Sequence, residues 1–356
     1  MPRPANVSFF GFATGDDAVP TLADVIASAR RSKQKPWSDL LAEIRLEEVK
    51  QSLAPDHLRM LLSSATSQGS AVFTAHPLIK TNRMSDRQWL TSMKLRLGTN
   101  VTHASHRCNI CNVPAADGLH ALTCKAMNGY VQRRHTEVKL VIYKELSSIP
   151  GARVFLERDL GDYCQRKPQA DAAATKRKQP KSSPSDRKQV DRGKFMDIIR
   201  METDTDRIQF IDVVIGHPSE ANNKDAGVPG QCAEFHERQK HALYDPKWVF
   251  TPDQTLVPFA IETGGAWGEE AISFLKRVAS GARTHDEHEL PLSYSHFYRR
   301  LTERVAVAIQ RSVTTQILHY LDYQAGRRTR RPQSQASDAA DAESAGGQQA
   351  ASAADD

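Results

Sequence analysis

An α/β architecture follows from three observations. Between residues 194 and 323 short apolar runs alternate with stretches whose apolar residues recur at helical spacing. Residues 20–66 carry the same helical periodicity in two or three segments, so a helical region precedes the strands. Between the two, three of the chain's five cysteines fall within residues 108–124, the pattern of a small metal-stabilised module in a reducing compartment.

A chain of 356 residues with a net charge of +6 suffices for two modest domains and tolerates a polyanionic partner. No apolar run approaches the roughly 18 residues of a membrane span. The start, "MPRPANVSFFGFATGDD", lacks the apolar length of a signal peptide. Neither a GxGxxG nor a P-loop motif occurs, and no internal repeat is visible.

In the first helices Leu40, Leu41, Ile44, Leu58, Leu61 and Leu62 are the core candidates. "NRMSDRQWLTSMKLRLG" opens with a capping box, Ser85 with Gln88, and stops at Gly98. This makes Trp89, Leu90, Met93 and Leu97 one face of a three-turn helix. A further helix is expected at 130–147. Residues 165–194, rich in Lys, Arg, Pro and Ser, form a basic insertion expected to be disordered. Strands at 194–200 and 207–215 flank the acidic turn "METDTD". A helix at 231–244, a strand "TLVPFAIET" and a helix from Glu269 to about Ala279 follow. The helix 296–323 places Leu301, Val305, Ile309, Val313, Ile317 and Leu321 on one stripe. The tail 326–356 is expected to be disordered.

Two groups of residues carry chemistry. Cys108, Cys111, His120 and Cys124 form a C-x2-C-x8-H-x3-C arrangement, three thiolates and an imidazole that complete a tetrahedral zinc shell with no open position. His103 and His106 are rival ligands to His120. The following helix carries Arg133, Arg134, His135 and Lys139, either phosphate contacts or a solvated basic face.

The second group begins with "FIDVVIGHP", where Asp212 interrupts an apolar strand. A hairpin turning near residue 204 sets Asp197 opposite Asp212. Two carboxylates on an apolar sheet repel unless a cation joins them, and Mg²⁺ or Mn²⁺ is the natural companion. On that reading, deleting Asp212 relieves repulsion in the metal-free protein. The helix "AEFHERQKHALY" aligns Ala233, Glu237, Lys240 and Tyr244 on one face. Lys240 can stabilise charge on a phosphoryl group, while Glu237 with Lys240 reads equally as a surface pair. Glu262, ending "VPFAIE", is a further ligand candidate.

In order, these pieces resemble the C-terminal part of non-LTR retrotransposon reverse transcriptases that carry a zinc knuckle and a restriction-endonuclease-like domain. The match runs over roughly residues 70–323: "RLG", the CCHC cluster, "RRH", "MDI…FIDVVIGHP", "HERQKHALY" and "VPFAIETGGAWG". The resemblance implies a mixed sheet flanked by helices and a PD-(D/E)XK-type nuclease in which Asp197, Asp212, Lys240 and Tyr244 take the signature positions. It also divides the chain into a helical region 1–98 resembling the polymerase thumb and linker, a knuckle 99–128, an endonuclease-like domain 129–325 and the tail. Met196 stands where the family has proline, the insertion is long, and the H-x3-C spacing is one residue short of the commonest form. No YADD-like motif occurs, so no polymerase activity is expected of this chain.

The expected function is therefore a retroelement-derived, metal-dependent DNA endonuclease with a structural zinc and DNA or RNA as partner. A polymerase subunit or full-length element would act in trans. The basic clusters "KRKQPK" and "RRTRR" point to the nucleus, and otherwise the cytoplasm is expected. The rivals are a catalytically inactive nucleic-acid-binding remnant and a dimerising scaffold.

Overall fold

In the computed structural model, residues 34–149, 151–167, 195–202, 205–219, 228–281 and 294–326 are described. The basic insertion beyond residue 167 and the tail beyond 326 lie outside the described residues. The chain divides into two compact units, Met1–Ala54 and Pro55–Asp356. Described in the first is one helix, α1 (Gln34–Ser52), on which Leu41 is exposed and Ile44 half-buried. The side chain of Leu40 lies outside the description.

The second unit opens with α2 (Pro55–Ala65), the one-turn helix α3 (Ser67–Ser70) and α4 (Asp86–Arg96). Both longer helices turn a different face inward from the one their apolar spacing indicates. On α2, Met60, Ser63 and Ser64 are buried while Leu58, Leu61 and Leu62 are half-buried. The reason is a close approach: a Cβ on Gly264 would lie 2.4 Å from Ser63 Oγ, so only small groups fit at that contact. On α4, Thr91, Ser92, Leu95 and Arg96 are buried while Trp89, Leu90 and Leu97 are exposed. Here backbone carbonyls decide. Arg96 donates to Ser64 O at 2.9 Å and Gly69 O at 2.8 Å, and Ser92 Oγ donates to Gln310 Oε1 at 2.8 Å. Leaving such acceptors unpaired costs about 1–3 kcal/mol each, comparable to burying a leucine. The capping box of Ser85 and Gln88 is present, and Gly98 adopts φ 63° beyond the helix end.

After α5 (Leu119–Thr123) and α6 (Asn128–Ser147) come β1 (Ala152–Asp159), β2 (Gln165–Arg166), β3 (Phe195–Glu202) and β4 (Ile208–Gly216). Then α7 (Gln231–Tyr244), β5 (Trp248–Val249), β6 (Gln254–Glu262), α8 (Glu269–Gly281) and α9 (Tyr294–Gln324) complete the order. The main sheet is mixed, in the order β1-β3-β4-β6; β4 pairs antiparallel with β3 and parallel with β6. Gln165 and Arg166, expected within the basic insertion, instead form the short strand β2 paired with β5.

Apolar residues cover both sheet faces. Ile198, Ile211, Val213, Phe259 and Ile261 join α6, α8 and α9 in the larger core, while Met196, Ile199, Phe210 and Leu256 join Tyr244 and Trp248 in a second. Burial on both faces explains why β6 reads as a continuous apolar run. The α9 stripe lies inward: Leu301, Val305, Ile309, Val313 and Ile317 are buried, with Leu321 half-buried. The larger core also contains Met60, Leu95, Cys108, Leu122 and Tyr320, so packing runs uninterrupted through residues 98 and 128. No helix among the described residues is long and apolar enough to cross a membrane.

The inward face of α4 can be tested directly. Leu95→Ala is expected to cost about 2–5 kcal/mol in chemical denaturation, and Leu97→Ala no more than about 0.5 kcal/mol. Equal costs would mean the helix is turned.

Candidate functional site

The site is set by the register of the two central strands. Ile198 pairs with Ile211 and Ile199 with Phe210, and the pairing stops one residue short of Asp197 and Asp212. Both aspartates line one cavity of about 400 Å³ where the strands part, Asp197 partnered from α6 and Asp212 from α7. Lys240 and Tyr244 of α7, His135 of α6 and Phe195 of β3 line the same cavity.

Each carboxylate already has a cation of its own. Asp212 Oδ2 accepts from Tyr244 Oη at 2.7 Å and lies 2.8 Å from Lys240 Nζ. Asp197 Oδ2 accepts from the Val213 amide at 2.9 Å and lies 3.0 Å from His135 Nε2. His135 Nε2 is also 3.0 Å from Val213 O; both neighbours are acceptors, so this nitrogen carries the ring proton. Lys139 Nζ lies 3.6 Å from Asp197 Oδ1 and bonds Glu157 as well. Pairing between β3 and β4 ends at Ile198–Ile211, and Asp197 and His135 satisfy the Val213 backbone groups that β3 leaves. Burial opposes the Asp197 anion, but His135, Lys139 and the Val213 amide outweigh it and hold the carboxyl below its ordinary range. Burial, then the Asp212 charge, push the Tyr244 phenol far up, so it acts as a neutral donor that orients Asp212.

These contacts reverse the expected effect of deleting Asp212. Alanine there removes the acceptor of the buried Tyr244 hydroxyl, so the metal-free protein loses about 1–3 kcal/mol rather than shedding repulsion. Asp212 Oδ1 accepts no hydrogen bond among the described residues, and Asp197 Oδ1 faces Lys139 Nζ at 3.6 Å. A hard cation would meet Asp212 Oδ1 open and would compete with Lys139 at Asp197.

Glu237 and Glu262 do not line this cavity. Both are buried and hold helix starts. Glu262 Oε1 accepts from the Cys232 amide at 2.9 Å in the first turn of α7, and Glu237 Oε1 accepts from the Glu270 and Ala271 amides at 3.0 and 3.3 Å at the start of α8. Glycines precede both helices, Gly230 and Gly268, and a glycine offers no side-chain cap. At Gly268 nothing larger fits, since a Cβ would lie 2.0 Å from Glu237 Oε1. Burial, reinforced by the neighbouring Glu270 carboxylate, pushes the Glu237 carboxyl up to about 7, and burial also raises Glu262. Lys240 turns to Asp212 and makes no pair with Glu237.

The cysteine cluster converges. Ligand atoms of Cys108, Cys111, His120 and Cys124 all lie within 4.8 Å of one another, a group able to hold a metal ion. A tight turn brings the first two together: the Asn112 amide donates to Cys108 O at 2.8 Å, and Asn112 itself takes φ 54°. Gly118, at φ 82°, starts α5, which carries His120. His120 Nε2 is buried with no hydrogen-bond partner, as is His106 Nε2, and only His120 joins the convergent group. Of the rivals, His103 is exposed and bonded to Ser105, and His106 is not in the convergent group. Thiolate and imidazole donors in this set suit a soft or borderline ion.

No protein-family model matches the chain, and no curated protein sequence is similar to it.

Sequence reasoning gave His135, Lys139 and Glu157 no place at the site. His135 and Lys139 figured only as basic residues for phosphate, yet His135 bonds Asp197 and Lys139 is buried between Asp197 and Glu157. Arg134 is buried as well and donates to Gln316 Oε1 at 3.0 Å, so this helix face is not a solvated basic surface. Glu157 adopts φ 51°, a strained backbone for a non-glycine residue, directly beside this cluster. The helical spacing of residues 135 and 139 was the available signal.

The Glu237 cap has a pH signature. Its folded pKa of about 7 exceeds the ordinary 4.5, so the folded protein holds a proton that the unfolded chain releases. Stability therefore falls as pH rises from 4.5 to 7. Glu237→Gln is expected to flatten that part of the melting-temperature profile while still accepting the amides of α8. An unchanged slope would mean that another group titrates there.

Proposed function

We propose that this chain is a metal-dependent DNA endonuclease that nicks phosphodiester bonds, built on a restriction-endonuclease-like core of retroelement origin. The observation that carries the reading is the convergence of Asp197, Asp212, Lys240 and Tyr244 on one cavity. They come from three separate elements, and an unrelated α/β fold has no reason to gather them. Asp197 and Asp212 would hold Mg²⁺ or Mn²⁺ through Asp212 Oδ1 and the Asp197 oxygen that faces Lys139. Such an ion supplies Lewis-acid charge neutralisation and a more acidic water.

The protein's own groups do the rest. Lys240 places a positive charge beside Asp212, where it would offset the negative charge that builds on the phosphoryl and leaving-group oxygens as water attacks phosphorus and the P–O bond breaks. Tyr244 and His135 fix the rotamers of Asp212 and Asp197, and so act as positioning residues. Cys108, Cys111, His120 and Cys124 hold zinc as a closed structural site in a nucleic-acid-binding knuckle.

A second reading has one observation in its favour. Because Lys240 and Lys139 already compensate both carboxylates, the fold does not need a divalent ion for charge balance. A catalytically inactive DNA- or RNA-binding remnant has that property too.

Nicking of supercoiled plasmid separates the two. Wild type is expected to nick in Mg²⁺ or Mn²⁺ but not in EDTA, and Asp212→Asn to fall to background. Lys240→Met, which removes a charge and keeps the aliphatic stem, is expected to lose about 10²–10³-fold in rate. A wild type that neither nicks nor gains thermal stability from Mg²⁺ leaves the binding remnant as the function.

Metal analysis tests the knuckle. Purified protein is expected to carry about one equivalent of zinc, and Cys111→Ser to lose most of it. A variant with full zinc content would remove Cys111 from the shell.

A further inference from the structure

We infer that Phe195 makes this site selective for DNA whose base next to the scissile phosphate is unpaired, by stacking on that base. The inference rests on the nuclease reading only for the word scissile; the stacking itself needs no cleavage.

Four observations carry it. Phe195 is 59% exposed although it belongs to a strand of the central sheet. Its neighbour Met196 is fully buried in the second core, so β3 buries an apolar side chain here and still leaves the phenyl ring exposed. Phe195 stands two residues from Asp197, and both line the cavity that also holds Asp212 and Lys240. Val131 of α6, 40% exposed, lines that cavity as well, together with Val214 and Ile215 of β4.

A phosphodiester strand offers anionic phosphates and flat apolar bases a few ångströms apart. A site with a lysine, two carboxylates for a cation and an exposed aromatic ring within one cavity matches both halves of that repeat. The ring can be used only by a base free of its partner, because in a duplex each base face is already covered by its neighbours. Aromatic stacking of this kind is tolerant of base identity, so the selectivity is for strand state and not for sequence.

The test uses the full, zinc-loaded chain with no Mg²⁺ or Mn²⁺ added, so that cleavage does not enter. Affinity is measured by fluorescence anisotropy for a labelled oligo-dT and for a fully paired duplex of equal length. Phe195→Ala is expected to weaken oligo-dT binding about tenfold while leaving the duplex unchanged. Phe195→Trp is expected to retain oligo-dT affinity. Because the side chain is mostly exposed, Phe195→Ala should melt with wild type, and Phe195→Trp controls for any loss of fold. Equal weakening for both DNAs, or no change for either, overturns the inference. The nuclease reading fails separately: a wild type inert toward plasmid in Mg²⁺ but discriminating in this assay keeps the stacking site and loses the chemistry.

Discussion

The pairing register of β3 and β4 is the constraint on which the rest of the molecule depends. Because side chains alternate along a strand, a slip of one residue would carry either aspartate to the opposite face and break the cavity. Ile198 and Ile211 enter the larger core while Ile199 and Phe210 enter the smaller one. With both faces apolar, a one-residue slip would still leave all four inside, so the polar partners decide: it would carry Asp212 away from Lys240 and Tyr244.

The long helix α9 ties this sheet to the cysteine cluster. Its apolar stripe packs against both, and its buried polar residues complete backbone groups elsewhere. Gln316 Nε2 donates to Ala121 O at 2.8 Å, beside His120, while Gln310 Nε2 donates to Gly264 O at 3.2 Å after β6. Glu145 of α6, buried, accepts from Arg300 at 2.9 Å and also pairs with Arg304. Removing one partner from such a buried set leaves a desolvated charge, so this is where single substitutions cost most.

Much of this was legible in the sequence, and the exceptions share a cause. Wherever apolar residues alone set an element, as in α9 or the β3–β4 hairpin, periodicity located it within a residue or two. The cysteine spacing likewise brought its four residues together. The failures came where polar groups decide packing. Serines and an arginine took the inner faces of α2 and α4, because they complete carbonyls or permit close approach, and leucines were displaced outward. Glu237 and Glu262 could not be told from ligands in one dimension, since capping is a contact between elements distant in sequence. The strand β1 was missed because its sequence, "ARVFLERD", mixes charge with apolar residues as befits the edge of a sheet.

The two glutamate caps couple elements that lie apart in sequence. Helices α7 and α8 are preceded by glycines, which offer no side-chain cap. The carboxylate at the start of α7 is Glu262 at the end of β6, and the one at the start of α8 is Glu237 of α7. Displacing β6 would leave the first turn of α7 without its acceptor, and displacing α7 would do the same to α8. Lys240 and Tyr244 ride on the middle member of this series, so the partners of Asp212 are anchored from both sides.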